Sequence, residues 1–210
     1  MEREGMLRIF CVGVGGQGVL LATRLIGEAS LMAGNPVSMS EVHGMAQRGG
    51  VVESTVVLGE RLSPVLGDGE ADIMIAFEPL EALRALTKCH RGTIAIVNRE
   101  PIPPFSVTQG GAAYPPVDEI IATISGEIDQ CYDLNALNLA LEAGSDQTLN
   151  VVLVGFLTGI LENIGNRIFP SRDTLIEALK EIVPARFFEI NKKAFESGYS
   201  YGKGRAGSLA

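Results

Sequence analysis

Two clusters in this 210-residue chain hold the residue types that do chemistry at a site. The first is Cys11-Val12-Gly13-Val14-Gly15-Gly16-Gln17-Gly18-Val19, which follows an apolar run at 7–10. It reads as a strand turning through glycines into a helix. Glycine permits positive φ, expected here at Gly15, and lets another group approach the backbone closely; the first N–H groups of the following helix then face whatever sits above the turn. Gly13, Gly15 and Gly18 fit the spacing GxGxxG. A dinucleotide site would add an acid about 20 residues further on to hold a ribose hydroxyl, a place that Glu41 fills. A tight turn that binds nothing would use the same glycines.

The second cluster is Ser40-Glu41-Val42-His43-Gly44-Met45-Ala46-Gln47-Arg48-Gly49-Gly50, dense in side chains that donate, accept or titrate. Arg48 suits phosphate and carboxylate alike, in bidentate geometry. His43 titrates near neutrality, so it can act on a bound intermediate or make a loop-fixing or interface hydrogen bond. Glu41 and Gln47 serve equally to tie their own loop or to touch a ligand. The candidate ligand or phosphate-binding set is therefore Gly13, Gly15, Gly16, Gln17, Gly18, Glu41, Gln47 and Arg48, with the side chains of Gln17 and Arg48 facing the anion. The catalytic residue stays unassigned, with His43 the only candidate. Met39 and Met45 could line a pocket for a large apolar substrate, although methionine also fills gaps in any core. His90 reads as solvated.

These residues need elements to hold them. Residues 7–14 read as a buried strand and 19–33 as its helix, on the stripe Leu20, Leu21, Leu25, Ile26, Ala29. Residues 37–40 form a short strand. Residues 51–58 form another, closing at Gly59-Glu60 into 61–63 as a candidate hairpin. Strands are expected at 71–77, 93–97 and 131–134, and helices after Glu78-Pro79 and at 117–124, 135–143 and 148–161. Five prolines and Gly110-Gly111 make 99–116 a loop with room for one edge strand. Ser171 caps a helix to Val183, and a last helix at 185–198 ends at Gly198. The pattern predicts one three-layer α/β/α domain at 1–198, with a mostly parallel, mixed sheet, a Rossmann-like start and a helical C-terminal third, followed by a flexible tail at 199–210. Both clusters follow strand ends, so they should line one crevice.

Composition bounds the partners. A net charge of −8 and a pI near 4.8 argue against nucleic acid or an anionic membrane as the main partner. The acidic start Met1-Glu2-Arg3-Glu4-Gly5 is unlike a signal peptide, so a cytoplasmic protein is expected. The longest apolar run, 151–161, is shorter than the roughly 20 residues that span a bilayer and reads as a buried helix. Cys11, Cys89 and Cys131 are scattered and too few for a four-cysteine cluster. They read as buried structural thiols, and no metal site is expected.

The pair GVGGQGV and SEVHGMAQRGG resembles the gamma component of the 2-oxoacid:ferredoxin oxidoreductases, most of all its indolepyruvate branch. The likeness runs over about residues 7–198 and includes 71–79, 150–155 and 191–198. It implies one subunit of a machine that converts a 2-oxoacid and coenzyme A to acyl-CoA, CO2 and reduced ferredoxin. It further implies that thiamine diphosphate and the iron–sulfur clusters sit in a large partner subunit, that coenzyme A lies at the interface, and that this chain alone is inactive. The substrate implied is indolepyruvate or another aryl or branched 2-oxoacid. The alternatives are a free-standing Rossmann-type NAD- or FAD-binding oxidoreductase and a ligand-binding module without chemistry.

Overall fold

The computed structural model describes residues 5–44, 50–60, 63–103 and 113–205. Strands β1 (Leu7–Val14), β2 (Val37–His43), β3 (Val51–Leu58), β4 (Ala71–Ala76), β5 (Cys89–Asn98) and β6 (Gln130–Leu134) form a sheet in the order β2-β3-β1-β4-β5-β6. Helices are α1 (Val19–Met32), α2 (Pro79–Arg84), α3 (Val117–Glu127), α4 (Ala136–Ala143), α5 (Leu149–Asn163), α6 (Arg172–Ile182) and α7 (Ala185–Arg205). β1, β4, β5 and β6 run parallel, whereas β3 is antiparallel to both β1 and β2. The sheet is mixed, as the pattern predicts, but the hairpin lies one element earlier than expected. It is β2–β3, with Val37 opposite Leu58 and His43 opposite Val52. Residues 61 and 62, in the segment expected to return as a hairpin arm, lie outside the described residues.

Period-two alternation divides the sheet into two faces. Leu7, Ile9 and Cys11 of β1 pack with α1, α4, α5, α6 and α7, while Phe10 and Val12 pack with α2 and α3. Every residue of β1 is buried, as a central strand covered on both faces requires. The one charge in it, Arg8, is held by Asp72 of β4: the backbone N–H donates to Asp72 Oδ2 at 2.8 Å, Nε to the same atom at 2.9 Å and Nη2 to Oδ1 at 2.7 Å. This bidentate pair lies at the start of the strands, away from the glycine turn. Among the described residues of 99–116 there is no strand; 104–112 lie outside them.

The apolar run at 151–161 is, as expected, buried helix. It packs on α7 through glycines: a Cβ on Gly155 would stand 2.1 Å from the Phe195 carbonyl oxygen, one on Gly198 would stand 2.1 Å from that of Val152, and one on Gly202 would stand 2.3 Å from that of Phe156. This corrects the expected stop at Gly198. The helix continues to Arg205 because Gly198 brings two helix backbones together instead of ending one. The expected tail at 199–210 is therefore helical as far as 205. Among the described residues, no helix is long and apolar enough to cross a membrane.

Candidate functional site

The glycine turn sits at the carboxyl ends of the parallel strands, between β1 and α1. Positive φ falls at Gly16 (101°) and Gly18 (77°), not at Gly15 as expected. Gly18 is the residue before α1 and caps it in the left-handed conformation with no side-chain bond. The first N–H groups of the helix have no carbonyl one turn back to bond, and so are directed out of its N-terminus.

Gln17 is placed differently from expectation. Instead of presenting its amide to a ligand, it folds back: Oε1 accepts from the Val14 N–H at 2.9 Å, and Nε2 donates to the Phe77 carbonyl at 2.8 Å. Gly13 makes this possible, since a Cβ there would lie 2.8 Å from Gln17 Oε1 and 2.8 Å from the Phe77 Cβ. The Phe77 carbonyl accepts a second bond, from Asn98 Nδ2 at 3.0 Å, and Asn98 Oδ1 accepts from the Ala136 N–H at 3.1 Å. Asn150, near the start of α5, donates through Nδ2 to the Gly18 carbonyl at 3.2 Å, and its buried Oδ1 has no partner. Three carboxamides thus stitch the ends of β1, β4 and β5 to the starts of α1, α4 and α5.

The two sequence clusters meet here. The Gly15 N–H donates to the Gly50 carbonyl at 3.0 Å, and the Gly44 N–H donates to the Val51 carbonyl at 2.8 Å, so both ends of the 44–50 loop stand beside the turn. A cleft of about 340 Å³ opens at this point, lined by Val14, Gly15, Gly16, Gly18, Val19, Leu20 and Val52. Glu41 is exposed on β2, opposite Ser54. His43 ends β2, opposite Val52. Met45, Gln47 and Arg48 lie outside the described residues. The cleft combines apolar walls with outward N–H groups, which suits an anionic group carried on a less polar body.

Other polar residues near the strand ends were not singled out from sequence. Glu78, 1% exposed, caps α2 by accepting from the Glu81 N–H at 2.9 Å, and its other oxygen accepts from the Ile102 N–H at 3.2 Å and from the Tyr114 hydroxyl. It thereby holds both flanks of the 103–113 segment. Burial, and to a lesser extent the neighbouring Glu78 and Glu53 carboxylates, raises the Glu81 carboxyl, while Arg84 at 2.6 Å opposes the rise. Glu53 aligns with Val12 and so shares the α2 face, whereas Val52 lines the cleft on the other. The signal that could have found these residues is position: polar residues directly after buried strands point into a crevice.

Of the three thiols expected to be buried, Cys11 is, whereas Cys89 and Cys131 are half-buried. Burial pushes Cys11 far up, Cys89 to about 11 and Cys131 up as well. The His90 ring nitrogen accepts from the Gly92 N–H at 3.1 Å, far from the turn. A larger groove of about 700 Å³ opens at the other end of α1, beside Ala33 and Asn35. Within it Arg172 pairs with Glu196 and Asp173, the Tyr199 hydroxyl donates to Glu162 at 2.6 Å, and Arg167 also lines the wall.

A family model described as pyruvate ferredoxin/flavodoxin oxidoreductase matches residues 8–201. The chain belongs to this family. It is 39% identical over 192 residues to the indolepyruvate oxidoreductase subunit IorB of Methanothermobacter thermautotrophicus, covering 91% of this chain and 95% of that one. It is 40% identical over 195 residues to the IorB subunit of Archaeoglobus fulgidus, covering 92% and 94%. The keto/oxoacid ferredoxin oxidoreductase gamma subunit of Geobacter sulfurreducens superposes with a TM-score of 0.67 at 22% identity, over 94% of this chain and 99% of that one. The 2-oxoglutarate:ferredoxin oxidoreductase of Magnetococcus marinus, solved with 2-oxoglutarate, coenzyme A and succinyl-CoA bound, superposes with a TM-score of 0.69 at 23% identity. That likeness spans 99% of this chain and 32% of the longer one. Both are likenesses of fold, and the fold is that of the gamma subunits. Family membership leaves the free-standing nicotinamide or flavin enzyme and the chemistry-free module without support.

Proposed function

We propose that this chain is the small, gamma-type subunit of a thiamine-diphosphate-dependent 2-oxoacid:ferredoxin oxidoreductase, and that its glycine turn and 44–50 loop hold the phosphate-bearing end of coenzyme A against a large partner subunit. The oxoacid is indolepyruvate or a related aryl or branched 2-oxoacid, in keeping with the names of the relatives. The products are acyl-CoA, CO2 and reduced ferredoxin. Thiamine diphosphate and the iron–sulfur clusters belong to the partner, where they supply decarboxylation and electron transfer. This chain binds and orients the acceptor and is inactive alone, with cytoplasmic location following from the same reading.

One observation carries the assignment of the site: the 3.0 Å bond from the Gly15 N–H to the Gly50 carbonyl, which joins the helix N-terminus to the base of the loop bearing Arg48. In this reading the outward N–H groups around Gly16 and Gly18 meet a phosphate oxygen and Arg48 meets it bidentately. Val14, Val19, Leu20 and Val52 cover the less polar arm. His43 and Glu41 belong to β2, which leads into the 44–50 loop, and Gln47 precedes Arg48 in the sequence. His43 remains the only candidate for proton transfer on this chain.

The test is thermal protection of the assembled complex. Coenzyme A at about 100 times its dissociation constant should add about 2.7 kcal/mol by mass action. Arg48→Ala should assemble normally, lose most of that protection and raise the KM for coenzyme A. An unchanged melting profile at saturating coenzyme A, in complex with normal composition, would contradict the reading.

A further inference from the structure

We infer that Gln17 is the positioning residue of the glycine turn, a carboxamide strut that sets the direction of the N–H groups without itself touching the ligand. The role rests on the reading of the turn as an anion site, but its geometry stands independently. Both ends of the side chain are engaged across the turn, to the Val14 N–H on β1 at 2.9 Å and to the Phe77 carbonyl after β4 at 2.8 Å. One neighbour is a donor and the other an acceptor, so a carboxamide oriented this way satisfies both at every pH, which a carboxylate cannot do.

The surroundings are shaped for this side chain. Gly13 lacks the Cβ that would collide with Gln17 Oε1 and with Phe77, so the first glycine of GxGxxG is here a socket for the strut. The anchor is rigid as well: Phe77 donates its N–H to the Val12 carbonyl at 2.8 Å, and Asn98 holds the same Phe77 carbonyl from β5. Gln17 lies between Gly16 and Gly18, the two positive-φ residues of the turn. Fixing its side chain to two strands, together with the bond from its own N–H to the Val14 carbonyl at 3.3 Å, fixes the peptide planes on either side and with them the direction of the Gly18 N–H that an anion would meet. Without the strut, Gly16 keeps glycine's conformational freedom and only the Gly15–Gly50 bond holds this side of the turn.

The chemistry predicts a variant with an acid-side rescue. In Gln17→Glu, one oxygen still accepts from Val14, but the other faces the Phe77 carbonyl. The protonated acid donates there; the carboxylate is repelled. The folded protein therefore binds that proton more tightly than the unfolded chain does, so ordering of the turn is present at low pH and lost as pH rises through the raised folded pKa. Gln17→Met, of similar shape, loses both bonds at every pH and adds no charge.

The experiment has two readouts. The first is amide hydrogen exchange, corrected for intrinsic rates, on peptides spanning residues 12–20 of the ligand-free chain. Gln17→Met should lose about tenfold in protection there, the worth of a lost hydrogen bond. Gln17→Glu should approach wild type below about pH 4, under the ordinary Glu pKa, and fall to the Gln17→Met level by about pH 7. The second readout is the KM for coenzyme A of the assembled complex, which should rise more than kcat falls and follow the same pH pattern. Equal protection in all three proteins would overturn the strut. Protection that changes as stated while the KM for coenzyme A does not would keep the strut and remove the anion reading on which its use depends.

Discussion

At the scale of single residues, the turn depends on two glycines that are not interchangeable. Gly16 has φ 101° with no atom within 4 Å of an added Cβ, whereas a Cβ on Gly18, at φ 77°, would stand 2.6 Å from Asn150 Nδ2. Gly16→Ala should therefore cost only the backbone strain, roughly 1–2 kcal/mol. Gly18→Ala adds a packing clash and should cost about 2–4 kcal/mol. Urea denaturation of the two variants checks the order, and equal costs would contradict this placement of Asn150. The motif itself was legible in sequence, because glycine spacing reports a strand-to-helix turn directly. Which glycines take positive φ was not legible, since that depends on the bonds Gln17 makes to Val14 and Phe77 and on the Gly15–Gly50 contact, all set by tertiary structure. Gln17 read as a ligand residue for the same reason: an amide in a glycine loop looks available until its two partners are seen.

Among the elements, strands were the more legible. β1 and β3 match the expected spans because their β-favouring residues, interrupted by Arg8 in one and by Glu53-Ser54-Thr55 in the other, are bounded by glycine. The pairing of β3 was not visible: an apolar strand carries no mark of which neighbour it takes, and the long 44–50 connection hid a hairpin that short-turn rules detect only in two- to five-residue loops. α7 was underestimated because Gly198 carries the same letter as a helix stop. Its real role gives a sharp prediction. Gly198→Ala places a Cβ 2.1 Å from the Val152 carbonyl oxygen, backbone that cannot swing away. It should destabilise the chain by about 3 kcal/mol, whereas Gly204→Ala, on the same helix with open space around it, should be neutral or stabilising by up to about 1 kcal/mol. Equal melting temperatures for the two variants would refute the close α5–α7 packing.

For the whole molecule, the architecture gathers the features of the candidate site at one end of the sheet, opposite the Arg8–Asp72 pair. The glycine turn, the carboxamide stitches, the Glu78 cap and both ends of the 44–50 loop gather at the carboxyl ends of β1, β4 and β5 or beside them. The acids Glu53, Glu78 and Glu81 occupy the α2 face, whereas the cleft lies on the α1 face, where Glu41 stands on the outer strand β2. Away from this end, burial raises the thiols, and in the groove beside Ala33 and Asn35 Arg172 is paired with Glu196. The proposed function places this chain within an assembly whose larger chain carries the redox groups. The measurement that tests this most directly is purification of the tagged chain from its own host under anaerobic conditions at low salt, recording native mass, visible spectrum and thiamine content together. The account predicts a brown complex with a larger chain, containing thiamine diphosphate and reducing ferredoxin with a 2-oxoacid and coenzyme A. A colourless chain that elutes alone, with no thiamine, would contradict it.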